Sequence, residues 1–139
     1  MGLEYDYDGH LEFKGEYLNG KRNGKGVEYN LIGKLQFEGE YLNGERNGNG
    51  KEYHFNGELI FEGEYSNGER NGKGKEYNSY TCQLRFESEY LNGKRNGKGK
   101  EYDDDGKLIF EGEYLNGERW NGKGKEYLLN KMFKKNTPP

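Results

Sequence analysis

The sequence predicts an all-β protein: an elongated, single-layer solenoid of five to six stacked antiparallel β-hairpins with a short C-terminal cap. Three observations carry that prediction. The phrase F-(E/K)-G-E-Y-x-N-G-x-R-N-G-x-G-x-E-Y recurs from Phe13, Phe37, Phe61, Phe86 and Phe110, at intervals of 24, 24, 25 and 24 residues, and a fixed period of this length marks a repeat architecture. Inside each copy the residues alternate apolar and polar with period two, as in a half-buried strand. Finally, 12 Asn-Gly dipeptides punctuate the chain, and that pair is the strongest short hairpin signal because both residues tolerate positive φ.

The elements follow in order. Gly2, Glu4 and Tyr5 align with Gly26, Glu28 and Tyr29, so residues 1–12 read as a half repeat. Five copies follow, starting at residues 13, 37, 61, 86 and 110, and the array runs over 1–127. The first strand of each copy puts one face together: Leu35, Phe37, Gly39 and Tyr41, then Leu59, Phe61, Gly63 and Tyr65, then Leu108, Phe110, Gly112 and Tyr114, with Glu111 and Glu113 on the other side. Tyr17, Tyr41, Tyr65, Tyr90 and Tyr114 each follow the Phe by four residues. Glycine in mid-strand weakens a sheet, unless a ring from a neighbouring position lies across the bare backbone. A turn and a second short strand complete each copy, ending at Tyr29, Tyr53, Tyr77, Tyr102 and Tyr127. A lone hairpin is marginal in water, so stability comes from stacking copies. Ten or so strands about 4.8 Å apart make a sheet roughly 45 Å long.

Two copies are irregular. Ser88 stands where the others have Gly15, Gly39, Gly63 and Gly112, and the preceding turn, Asn78-Ser79-Tyr80-Thr81-Cys82, is one residue longer. Copy five carries an extra Trp120. Surface turns accept such changes, and the sharper reading is that Tyr80, Cys82 and Trp120 mark a binding edge. The tail, 128–139, leaves the pattern. Leu128, Leu129, Met132 and Phe133 share one face of a short helix, expected to cap the open last strand.

Composition excludes several function classes. Leu, Ile, Val and Phe together number 24, about 17% of the chain and below the roughly 20% typical of a globular core. There is no alanine, and 13 Tyr and 24 Gly stand in its place. No apolar run reaches the roughly 20 residues of a membrane span, and the first residues contain no apolar stretch suited to a signal peptide. A single cysteine excludes an internal disulfide framework and fits a reducing compartment. A net charge of −3 argues against nucleic acid as a partner. Catalytic chemistry finds no foothold. His10 and His54 are isolated, Cys82 has no ligand within metal-binding spacing, and Asp103-Asp104-Asp105-Gly106 lacks the later ligands of a calcium loop. The glycine runs lack the Lys-Ser/Thr of a phosphate loop. No enzyme activity, cofactor or metal is therefore expected.

The phrase F-E-G-E-Y-x-N-G-x-R-N-G-x-G resembles the MORN (membrane occupation and recognition nexus) repeat, whose core is aromatic-x-Gly-x-aromatic, then Gly, then Gly-x-Gly. The resemblance covers roughly residues 1–127. The Gly-Lys-Leu-Ile-Phe-Glu-Gly-Glu-Tyr phrasing is also similar to repeats of bacterial toxin-neutralising proteins. The family resemblance implies scaffolding and protein binding.

A single-layer sheet cannot cover both faces, and solenoids use such surfaces for extended partners. The expected function is a non-catalytic protein-binding scaffold. Its trough would be lined by Phe37, Tyr41, Phe61, Tyr65, Phe86, Tyr90, Phe110 and Tyr114 and would hold an amphipathic helix or peptide. The alternative contact is with anionic lipid headgroups such as phosphoinositides, through a basic turn edge of Lys21, Arg22, Lys94, Arg95, Lys98 and Lys100. A third reading is an antitoxin that wraps its toxin. The expected setting is cytoplasmic, peripheral to membrane or cytoskeleton, with homodimerisation through the array ends.

Overall fold

The structure, a computed structural model, describes residues 1–123. The expected cap, within 128–139, lies outside the described residues. Eleven strands form one antiparallel sheet in strict sequence order. They are β1 (Gly2–Tyr5), β2 (Leu11–Leu18), β3 (Lys21–Tyr29), β4 (Leu35–Leu42), β5 (Glu45–Tyr53), β6 (Leu59–Ser66), β7 (Glu69–Tyr77), β8 (Leu84–Leu91), β9 (Lys94–Tyr102), β10 (Leu108–Leu115) and β11 (Glu118–Lys123). β1 pairs with β2 through Gly2↔Gly15, as β3 pairs with β4 through Gly26↔Gly39.

In each of the first four copies the two Asn-Gly pairs that flank the Arg do different work. The first makes the hairpin turn: Asn19 and Gly20 both have positive φ, 52° and 78°, as a tight hairpin turn requires. The second, expected as a turn from its composition, lies inside the second strand as a bulge. Tyr17 pairs with Arg22 and Gly15 with Gly26, so the register slips between them. Gly24 there has φ 99°, and the Lys25 N–H donates to Glu16 Oε2 at 2.5 Å. Asn49 and Lys73 repeat that bond with Glu40 and Glu64.

The other connections, Asp6–His10, Asn30–Lys34, His54–Glu58 and Asp103–Lys107, close with paired backbone bonds across each loop. In the last, Asp103 Oδ1 accepts from the Asp105 and Lys107 N–H groups, both at 2.9 Å, so this carboxylate is used to make the turn. The longer fourth loop puts Cys82, at φ 61°, in the left-handed position that Gly9, Gly33, Gly57 and Gly106 take in the others.

A row of small residues crosses the whole sheet: Gly15, Gly26, Gly39, Gly50, Gly63, Gly74, Ser88, Gly99, Gly112 and Gly122 are successive cross-strand partners. Rings fill the space this leaves. A Cβ on Gly74 would come within 2.6 Å of Phe61 Cζ and 2.9 Å of Tyr90 Cε2. Phe13, Phe37, Phe61 and Phe110 are completely buried, and Tyr41, Tyr65, Tyr90 and Tyr114 nearly so. Phe13, Phe37 and Phe61 each meet the Tyr of their own copy and that of the next edge-on, at 5.8 Å and 5.2 Å for Phe37, a favoured ring geometry.

The chain itself supplies the lid. Arg46 lies over Phe37 at 4.0 Å from the ring centroid and Arg70 over Phe61 at 4.0 Å. Each guanidinium is held by a carboxylate of the preceding copy: Arg46 Nε to Glu28 and Arg70 Nε to Glu52, both 2.8 Å. The same carboxylates accept from the Tyr41 and Tyr65 hydroxyls. Burial pushes Glu28, Glu52 and Glu76 up, but the Arg and Tyr hydrogen bonds outweigh it and hold all three below the ordinary carboxylate value.

Copy four shows what the glycine is for. Ser88 is buried, its hydroxyl donating to the Glu89 carbonyl. Phe86 is then only half-buried, and its centroid stands 6.4 Å from Tyr114, against 5.1–5.3 Å for the corresponding pairs of the first three copies.

Candidate functional site

The ring face is not an open trough. Phe37, Tyr41, Phe61, Tyr65, Tyr90, Phe110 and Tyr114 are core, and Phe86 is covered by Arg95 at 3.3 Å from its ring centroid. The expectation that these residues line a partner-binding surface fails for a physical reason. The second strand of each hairpin contributes its Arg and Glu to that same face, and together they close it.

The opposite face is open. Residues alternating with the glycine row surround a groove of about 1530 Å3 that runs from β2 to β10. The glycine row runs beneath it, with Gly15, Gly26, Gly50, Gly74 and Gly99 buried under the flanking side chains. Its walls are striped by strand. First strands from β4 on present carboxylates: Glu38 and Glu40, Glu62, Glu87 and Glu89, Glu111 and Glu113, while β2 presents Lys14. Second strands present amines: Lys25, Lys51, Lys73 and Lys75, Lys98 and Lys100. The pairing register sets them side by side, Glu38↔Lys51↔Glu62↔Lys75↔Glu87↔Lys100↔Glu111. Opposite charges directly across a pair of strands attract, so the striping also helps fix the register.

The second-strand tyrosines, whose face sequence alone left open, belong to this side. The Tyr53 hydroxyl donates to Glu38 Oε1 and that of Tyr77 to Glu62 Oε1, both at 2.6 Å. Burial, followed by these carboxylates, pushes both phenols up to about 12. Tyr29 lines the groove beside them.

The residues of the expected basic edge separate. Arg22 and Arg95 lie on the ring face, bound to Glu4 and Glu76 through Nε at 2.7 Å. Lys98 and Lys100 stand on the groove face, and Lys21 and Lys94 are exposed beside the tight turns. They do not form one cationic surface. Tyr80, Cys82 and Trp120 are also apart. The first two are in the fourth long loop; Trp120 is at the start of β11 beyond a tight turn, its Nε1 3.3 Å from Glu113 Oε2. The Cys82 thiol is pushed up by its hydrogen bond to Glu58.

Among the described residues no group of three or more His, Cys, Asp or Glu side chains is placed to hold a metal ion, and no helix is long and apolar enough to cross a membrane. The groove is elongated and walled by both charges; among its lining residues no acid, base and nucleophile converge.

No curated protein matches the chain at a significant level. Among protein families, the MORN repeat matches residues 13–30, 37–58, 61–81 and 86–107, which together span more than half of the sequence. With the aromatic-x-Gly-x-aromatic strands, the glycine row and the single open sheet described above, this places the chain in the MORN repeat family.

Proposed function

We propose that the chain is a non-catalytic protein-binding scaffold that holds an extended segment of a partner along the striped groove. The observation that carries this reading is the asymmetry of the sheet. One face is sealed by its own arginines and glutamates, while the other presents an open groove walled by glutamates and lysines. A surface that long and shallow suits a polypeptide and not a small substrate. Its balanced charges favour a partner that itself alternates acidic and basic side chains, because a wholly anionic surface would meet as many glutamates as lysines. That balance, and the engagement of Arg22 and Arg95 on the other face, weigh against an anionic membrane as the main target.

The test is affinity capture from the source cell's lysate, comparing the native chain with a Lys51→Gln/Lys75→Gln/Lys100→Gln variant. All three side chains are exposed, so the variant is expected to stay folded by circular dichroism. The expected result is a protein retained by the native chain and lost by the variant. Retention of the same proteins by both would overturn the groove assignment.

A further inference from the structure

The five long loops all lie along one edge of the sheet, because every tight turn is at the other. Four consecutive loop tips carry large apolar side chains turned to water: Tyr7 fully exposed, then Leu31 at 76%, Ile32 at 70%, Phe55 at 64% and Tyr80 at 83%. Single exposed apolar residues need no explanation, but a continuous row does. The row is also knit together. Asn56 Nδ2 donates to the Ser79 carbonyl at 3.1 Å across the third and fourth loops. The His54 ring lies 4.0 Å from that of Phe55 and 6.1 Å from that of Tyr80. Between the first and second loops, His10, Leu11, Tyr29, Leu31, Ile32 and Gly33 enclose a pocket of about 460 Å3. None of the five tips belongs to the ring-face core.

We propose that this loop edge joins two copies of the chain, side by side about a two-fold axis with their rows antiparallel. Area supports a second copy. The three exposed rings offer about 500 Å2 and the two aliphatic tips bring the row to about 700 Å2, close to the roughly 800 Å2 that each partner contributes to a standard interface.

Charge selects the register. The first loop carries Asp6 and Asp8; the second carries Lys34; the third carries Glu58; the fourth, Asn78–Gln83, carries no charged side chain; the fifth carries Asp103, Asp104, Asp105 and Lys107. With the axis between the second and third loops, Lys34 of each copy faces Glu58 of the other, and the acidic first loop faces the uncharged fourth. Both fifth loops then overhang into water. Moving the axis onto the third loop instead sets Glu58 against Glu58 and the acidic first loop against the acidic fifth, both repulsive, and leaves Lys34 facing the uncharged fourth loop with no partner charge. In the favoured register the 460 Å3 pocket faces the aromatic tips of the third and fourth loops of the second copy, giving each of them a socket. Both copies use the same patch, as a closed two-fold dimer requires.

Sedimentation equilibrium of the full chain tests this, run up to about 100 µM so that a weak interface of this area is populated. The native chain is expected to move from its 16.2 kDa monomer mass to twice that value as concentration rises. Ile32→Asp/Phe55→Asp changes two exposed tips, so circular dichroism and melting should be unchanged while the chain stays monomeric. Lys34→Glu and Glu58→Lys should each weaken association about tenfold or more, since each creates two like-charge contacts, and the double swap should restore it. A native chain that is monomeric throughout, tip variants that still dimerise, or a double swap no tighter than the single changes would each overturn the proposal.

Discussion

Replacing Phe61 by Ala tests whether the aromatic row is core or contact surface. Phe61 is 0% exposed. Its ring lies against the glycine row, Arg70 sits 4.0 Å above its centroid, and Tyr65 and Tyr90 meet it at 5.8 Å and 5.3 Å. Removing about 200 Å2 of buried aromatic surface at 25 cal/mol per Å2 gives about 5 kcal/mol as an upper figure. Measured Phe→Ala losses in cores run from about 3 to 5 kcal/mol, so about 4 kcal/mol is expected. That is a large part of the 5–15 kcal/mol that holds a typical domain folded. Phe55 provides a control of identical chemistry: it is exposed at a loop tip, and Phe55→Ala should change stability by no more than about 0.5 kcal/mol. Urea unfolding followed by far-ultraviolet circular dichroism measures both. Equal costs for the two changes, or a loss below about 1 kcal/mol for Phe61→Ala, would refute the assignment of the rings to the core.

Other changes probe the same face. Gly39→Ala places a Cβ 2.6 Å from the Asn49 carbonyl oxygen and 2.7 Å from Gly50 Cα; backbone cannot yield as a side chain does, and a loss of about 1–3 kcal/mol is expected by urea titration. Glu52→Gln removes the charge that binds Arg70 and Tyr65 together and should cost about 2 kcal/mol in the same assay, the range for a hydrogen bond to a charged group. Acid dependence follows from Glu28, Glu52 and Glu76, whose folded values lie below the ordinary 4.5. Their contribution is complete above about pH 4.5 and is lost as pH falls through the depressed values, so urea midpoints should drop there, and less steeply in Glu52→Gln. At the alkaline end the sign reverses: Tyr53 and Tyr77 are raised from 10.0 to about 12, so their stabilisation is complete below pH 10 and declines as pH rises through 12. Phenolate absorbance against pH should show these two ionising late or together with unfolding.

The repeat, the strand count and the position of the glycines under the rings were legible from sequence, because a period of 24 and an alternation of two need no knowledge of register. The lid that closes the ring face was legible only in part. Glu28 follows Gly26 by two residues and so shares its face, a signal present in Gly-x-Glu of every copy. Arg22 was the harder case. Its place in a strand depends on which Asn-Gly pair makes the turn, and the bulge dipeptide Asn23-Gly24 is indistinguishable in composition from the turn at Asn19-Gly20. Without the bulge the second strand cannot be registered, and the Arg that seals Phe13 at 4.1 Å reads as part of a basic rim. The trough was misplaced for that reason. The same uncertainty hid the groove, since the side taken by Tyr53 and Tyr77 follows from the same register.

The bond that couples one copy to the next explains which positions can vary. Glu28 stands in one hairpin and holds Tyr41 and Arg46 of the following one, and Glu4, Glu52, Glu76 and Glu101 do the same along the array. A copy that lost its Arg or Glu would leave a neighbour's ring uncovered as well as its own, so the ring-face residues are bound to a common plan. Arg stands at all five of these positions, while the residue before it is Lys21, Glu45, Glu69, Lys94 or Glu118. Even the mild departure at Ser88 shifts Phe86 out of full burial. The loop tips carry no such constraint, and there the copies differ completely: Tyr7-Asp8, Leu31-Ile32, Phe55-Asn56, Tyr80-Thr81, Asp104-Asp105. In an array whose closed face must be uniform to stack, the positions free to vary are those of the loop edge, where a substitution changes what is presented without changing how the hairpins hold together.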